Sequence, residues 1–148
     1  MKSFENLELK EKLESLGKIR EFLFKNNYIN SNKFVGELGE YFSSKILTLE
    51  LNKRNNEVGY DAEDKIMGKK YEIKTLQEHD FNKKRSTYSL KNLNVHKFDY
   101  LLLVVLDKYY WIKEIWKLNK EDINQIKTKS GSIDINKVRN SKIEKIYL

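Results

Sequence analysis

Apolar residues in the first 50 positions recur at the spacing of amphipathic helices. One apolar series predicts a helix over roughly residues 6–26 and consists of Leu9, Leu13, Leu16, Ile19 and Leu23. A second series predicts another helix and consists of Phe34, Leu38, Tyr41, Phe42, Ile46 and Leu49. The asparagine-rich stretch between the two series predicts a polar break, with Ser31 or Asn32 as the cap of the second helix.

The pattern changes to strand periodicity after residue 57. Residues 58–62 predict a short strand, and two further segments, 65–67 and 70–75, flank Gly68-Lys69 as in a hairpin. In the second arm of this hairpin, apolar and polar residues alternate. Because alternate side chains of a strand point to the same face, we expect Glu72 and Lys74 to share one face of the sheet.

The second half of the chain predicts further strands and a short helix. Residues 100–106 form a continuous apolar run, which is typical of a central strand covered on both faces. A strand over 109–118 and a short helix capped by Asn119 follow, whereas residues 133–148 show no clear pattern. The element order predicts a mixed α/β fold, a small mixed β-sheet flanked by helices. Since neither proline nor a Gly/Ser-rich linker interrupts the chain, we expect residues 1–148 to form one domain.

Composition narrows the chemistry that the chain can perform. There is no cysteine and there are only two histidines, which excludes disulfides, cysteine nucleophiles and zinc sites built from Cys and His. Lys and Arg number 29 against 22 acids, a net charge of +7 that suits a polyanion such as DNA. Residues 81–98 contain no acid, and their candidate DNA-binding residues are Lys83, Lys84, Arg85 and Lys91. A solvated loop in a lysine-rich protein is an equally good explanation of this stretch.

Membrane insertion is not expected. The first twelve residues contain no apolar signal core. The longest apolar run, residues 101–106, is far shorter than the roughly 20 residues that cross a bilayer. We therefore expect a cytoplasmic protein with no membrane partner.

The candidate chemistry lies in acidic residues around the hairpin. If Asp61 and Glu72 lie on neighbouring strands, their carboxylates converge and suit Mg²⁺, which binds one or two carboxylates together with waters and phosphate oxygens. Lys74 projects from the same face and can orient a water or stabilise a phosphoryl transition state. The alternative is that Glu72 and Lys74 are an ordinary surface pair. The helix acids Glu37 and Glu40 weaken that alternative, because they lie beside helix glycines that indicate a close approach.

These segments together resemble the PD-(D/E)XK nucleases, the restriction-endonuclease-like superfamily. The matching segments are the acidic helix at 36–40, residues 59–62, the Glu-Ile-Lys-Thr of 72–75 and the apolar strand at 100–106. Tyr60 stands where the family signature has proline. The resemblance implies a restriction-endonuclease-like catalytic core over residues 33–118, preceded by an N-terminal helical extension over 1–32.

The resemblance also implies roles for individual residues. Asp61, Glu72 and the backbone carbonyl of Ile73 would ligate Mg²⁺, for which Mn²⁺ can substitute, and Lys74 would position the attacking water. Glu40 would complete the site through the metal or its waters, a role for which Glu37 is the other candidate. The implied activity is Mg²⁺-dependent endonucleolytic hydrolysis of DNA, with a homodimer as one way to cut both strands. Two alternatives remain open: a non-catalytic nucleic-acid-binding module on the same fold, and an RNA nuclease.

Overall fold

The computed structural model describes residues 4–26, 34–52, 59–78 and 86–147. Its helices are α1 (Leu7–Lys25), α2 (Val35–Leu47), α3 (Lys120–Ile126) and α4 (Ile135–Arg139). Its strands are β1 (Glu50–Leu51), β2 (Ala62–Asp64), β3 (Lys69–Gln77), β4 (Thr87–Ser89), β5 (Tyr100–Leu106), β6 (Ile112–Leu118), β7 (Ser132–Asp134) and β8 (Glu144–Tyr147). Within these ranges, no helix combines the length and the apolar character needed to cross a membrane.

Six of the strands form one sheet in the order β1-β2-β3-β5-β6-β8. Only β3 and β5 run parallel, and every other neighbouring pair in this sheet is antiparallel. Strands β4 and β7 pair separately as a two-stranded ribbon. The protein is therefore a mixed α/β structure with a mostly antiparallel sheet flanked by helices.

Strand β5 is buried on both of its faces, as its apolar run predicts. Leu102 and Val104 pack in one cluster with Phe42 of α2, below the α1 and α2 helices. Leu103 and Val105 face the opposite way and pack in a second cluster that includes residues of α3 and α4. Because both faces are covered, the strand needs no polar residue along its length.

Several predicted boundaries are wrong by a few residues, and local hydrogen bonds explain two of the differences. The hairpin turn comes before Lys69 because Asp64 closes it, accepting at Oδ1 from the backbone N–H groups of Ile66 and Met67. Strand β6 begins at Ile112 and not at 109, because Asp107 Oδ1 accepts from the N–H groups of residues 109 and 111 and curls the chain into a turn. The strand predicted over 58–62 is observed as β2, which begins only at Ala62.

The helices follow the predictions more closely. Asn6 caps α1 by accepting from the N–H of Leu9, and Asn119 caps α3 through a reciprocal capping box with Asp122. Helix α2 ends at Leu47 because Thr48 is left-handed, with φ of 55°, so Leu49 lies beyond the helix. The predicted caps Ser31 and Asn32 lie outside the described residues. The carboxyl-terminal region, which had no predicted structure, contains β7, α4 and β8.

Candidate functional site

The candidate site lies where β2 separates from β3. These two strands pair only as far as Ala62 and Tyr71, and the backbone N–H of Asp61 adds one further bond to the carbonyl of Tyr71, at 2.8 Å. Beyond this point the Asp61 side chain takes the place of β2 as the hydrogen-bond partner of β3, because its Oδ2 accepts from the N–H of Ile73 at 2.7 Å. By strand alternation the Ile73 carbonyl faces the same edge as its N–H. At this point β2 no longer covers the edge of β3, and the Asp61 carboxylate and the Ile73 carbonyl lie there.

Glu72 and Lys74 project together from β3, as the alternating pattern predicts. Lys74 Nζ lies 3.4 Å from Glu72 Oε1. Their exposures differ, since the Glu72 side chain is 11% exposed and that of Lys74 is 34% exposed. Glu72 is thus a nearly buried carboxylate, whereas Lys74 extends toward solvent at the rim of the site. This difference argues against an ordinary solvated surface pair.

Helix α2 brings Glu40 to the same place through a close approach between Gly39 and β3. A Cβ atom on Gly39 would lie within 2.7 Å of Thr75 Cγ2 and would overlap its hydroxyl. Only glycine allows α2 to lie this close to the strand, so one of the two helix glycines has the packing role expected of it. The other, Gly36, has open space around its Cα. Glu37 is exposed, and Glu40 is the helix acid that reaches the site.

Burial raises the pKa of all three carboxyl groups of the site, and the charge of Asp61 adds to this effect at Glu72 and Glu40. Burial and then the charge of Asp61 raise the pKa of Glu72 to about 7, against an opposing effect of Lys74. Burial also raises the pKa of Asp61, although the hydrogen bond from Ile73 and the charge of Lys74 oppose the change. The pKa of Glu40 is raised by burial, by Asp61 and by Glu37. The cluster therefore carries more buried negative charge than Lys74 alone offsets.

These residues line a groove of about 490 Å³ together with basic and amide side chains. The acids are Glu40, Asp61 and Glu72, and the base beside them is Lys74. The lining also includes the predicted DNA-binding residue Lys91, together with Lys97, Asn92, Asn94, Asn52 and Tyr60. The predicted DNA-binding residues Lys83, Lys84 and Arg85 lie outside the described residues.

The asparagines of this groove were not predicted from the sequence, because isolated polar residues in loops show no periodicity. Asn92 has a φ of 68°. That left-handed conformation is one that asparagine tolerates better than most residues. The sequence marked residues 81–98 only as a stretch without acids, and nothing in it indicated that Asn92 and Asn94 line the same groove as Asp61.

The oxygen donors of the groove fit a hard divalent cation. Mg²⁺ is held in proteins by one or two carboxylates, with waters and substrate oxygens completing its shell. Asp61, Glu72 and the Ile73 carbonyl meet that need, and the groove lining contains no histidine. In the part of the chain that the structure describes, no three His, Cys, Asp or Glu side chains are arranged to hold a metal ion.

Comparison with protein-family models and with curated protein sequences gives no match for this chain.

Proposed function

We propose that this protein is a divalent-metal-dependent nuclease that hydrolyses phosphodiester bonds of DNA in the groove at the β2–β3 edge. One observation carries the proposal: the nearly buried Glu72 lies against Asp61, beside Lys74, on an open strand edge. Two buried carboxylates together destabilise a protein unless a cation compensates them. An arrangement that is unfavourable for folding is typical of a site kept for function.

The lysines of the groove support a phosphate-containing substrate. Lys91 and Lys97 line the same groove as the three acids. Carboxylates alone would repel a phosphodiester, whereas lysines in the same groove attract it and help to position it. The net charge of +7 adds a long-range attraction to any polyanion.

In the proposed reaction Lys74 and the carboxylates have different tasks. The Lys74 ammonium donates a hydrogen bond that orients a water toward phosphorus, and Glu72 keeps Lys74 in place through their contact at 3.4 Å. Asp61 lines the groove and is held there by the hydrogen bond from the Ile73 N–H. As water bonds to phosphorus it releases a proton to solvent, the bond from phosphorus to the leaving sugar oxygen breaks, and that oxygen takes up a proton from solvent. A divalent cation held by Asp61, Glu72 and the Ile73 carbonyl would supply positive charge that stabilises the phosphoryl oxygens.

We also propose that the fold is a restriction-endonuclease-like core preceded by α1. Support comes from the order of elements: an acidic helix α2, the β2–β3 hairpin with Asp61, Glu72 and Lys74, and then the apolar strand β5 paired parallel to β3. The helix-borne Glu40 lines the same groove as the strand residues.

The direct test is incubation of the full chain with supercoiled plasmid, branched DNA and structured RNA, each with Mg²⁺, Mn²⁺ or a chelator. We expect cleavage of DNA that requires the metal and is lost in Asp61→Asn and Glu72→Gln. Lys74→Ala should also lose most of the cleavage activity. Its matched control is Lys69→Ala, because Lys69 belongs to the same strand but does not line the groove.

Each other outcome rejects part of the proposal. Cleavage of RNA alone would replace DNA by RNA as the substrate. Tight DNA binding without cleavage under either metal would identify a binding module. Cleavage that survives Asp61→Asn and Glu72→Gln would move the active site elsewhere in the protein.

A further inference from the structure

A second cavity, of about 510 Å³, lies beside the groove and is not used by the proposed reaction. Its lining includes Lys70, His96, Lys97, Asp99 and Lys120. These residues come from β3, from the loop before β5 and from the start of α3, so distant parts of the chain converge here. The cavity is open and polar, which makes it unsuited to an apolar ligand.

Lys97 connects the two cavities because it lines both of them. Its stem packs against Gly59, where an added Cβ would overlap Lys97 Cδ. Gly59 also has a φ of 77°, a conformation that favours glycine. The Lys97 stem therefore packs directly on the backbone two residues before Asp61, between the acidic groove and the second cavity.

The charges of the second cavity favour an anion. Lys70, Lys97 and Lys120 supply three ammonium groups, and Asp99 is the carboxylate among the lining residues. Asp99 is already engaged, because its Oδ2 accepts from the Lys70 N–H at 2.9 Å while its own N–H donates to the Lys70 carbonyl at 2.8 Å. The lining therefore carries a net positive charge, which favours an anionic ligand.

Lys70 contacts an aromatic ring of the neighbouring groove. Its Nζ lies 5.0 Å from the centre of the Tyr60 ring, within the range of a cation–π contact. Tyr60 lines the acidic groove, whereas Lys70 lines the second cavity. Lys70 and Lys97 therefore both lie at the boundary between the two cavities.

We infer that the second cavity binds a backbone phosphate of the DNA strand that is cut, next to the scissile phosphate. This inference rests on the proposed nuclease function and adds to it a subsite for the flanking nucleotide. Lysine ammonium groups suit this role, since they bind phosphate as point charges without reading the base. The subsite therefore sets the register of the strand in the groove and contributes no sequence preference.

The test compares two variants that lose the same charge. Lys70→Gln/Lys120→Gln removes two lysines of the subsite and leaves the groove intact. Lys137→Gln/Lys142→Gln removes two exposed lysines that line neither cavity. Duplex affinity is measured against salt concentration in a chelator, where no cleavage occurs. We expect the slope of log affinity against log salt to fall by about 1 in the subsite variant, one phosphate contact, and to stay unchanged in the control.

A second measurement locates the contact on the DNA. Single phosphates near the cleavage position are replaced, one at a time, by uncharged methylphosphonates. In the wild type, a methylphosphonate at one flanking position should lower DNA affinity. In Lys70→Gln/Lys120→Gln the same replacement should cause no further loss of affinity, because the lysines that contact this phosphate are already absent. If wild type cuts DNA but the two double variants have equal slopes, the subsite is refuted and the nuclease proposal stands. If wild type neither binds nor cuts DNA, both are refuted.

Discussion

Replacing Glu72 with glutamine should stabilise the metal-free protein at neutral and alkaline pH. Glu72 is 9% exposed and lies close to the charge of Asp61, and these two causes raise its pKa from 4.5 to about 7. Glutamine has nearly the shape of the protonated carboxyl group and never ionises. The substitution therefore removes a buried charge that the folded protein otherwise has to accommodate.

The magnitude follows from the difference between the two pKa values. Below pH 4.5 both states bind the proton and the substitution has little effect. As pH rises from 4.5 to about 7, the unfolded chain releases the proton first, so ionisation increasingly favours unfolding. At about 1.4 kcal/mol per pH unit, the limit above pH 7 is about 3.5 kcal/mol. Because the groove is open to water, which screens the charge, we expect about 1–2 kcal/mol.

The assay is urea unfolding followed by tryptophan fluorescence in a chelator, at about pH 5 and about pH 8. Glu144→Gln is the matched control, since Glu144 is an exposed residue of β8 in the same sheet. Added Mg²⁺ should stabilise wild type and leave Glu72→Gln unchanged, because a ligand stabilises only the state that binds it. A Glu72→Gln protein no more stable than wild type at the higher pH would refute the reasoning, and a gain equal to that of Glu144→Gln would do the same.

Three further predictions concern other contacts. Lys74→Ala should slow DNA cleavage by about 10²-fold or more, as measured by single-turnover rates. It should change the free energy of unfolding by less than about 1 kcal/mol in urea titrations, since Lys74 is one third exposed. Gly39→Ala should destabilise the protein by about 1–3 kcal/mol and weaken Mg²⁺ binding. Adding Thr75→Ala should restore part of both losses, because it removes the hydroxyl and methyl groups that overlap the new Cβ. If calorimetry shows no restoration, the predicted overlap is not the cause. Burial alone would raise the pKa of Glu114, but hydrogen bonds from Arg139 and Trp116 outweigh it and hold the pKa below 4.5. Glu114→Gln should therefore lower the free energy of unfolding by about 2 kcal/mol above that pH. Thermal melting at several pH values should show this difference shrinking as the pH falls.

Local patterns in the sequence determined the helices, the central strand and part of the site. The spacing of apolar residues predicted α1 and α2, and the uninterrupted run at 100–106 predicted a strand covered on both faces. Alternation along β3 predicted that Glu72 and Lys74 share a face, which their contact at 3.4 Å confirms. These features depend on residues a few positions apart, whose relative directions are set by helix and strand geometry.

The tertiary structure alone decided where β2 begins and how the site closes. Asp61 precedes β2 because its carboxylate binds the N–H of Ile73, twelve residues further on. The carboxyl-terminal elements are short and are stabilised by distant partners, such as the ion pair of Arg139 with Glu114, 25 residues away. The helix glycines predicted a close approach, but only the tertiary structure shows that Gly39 of α2 meets Thr75 of β3. Periodicity reports which way a side chain points within one element, whereas such contacts depend on how separate elements pack, so no pattern along the chain encodes them locally.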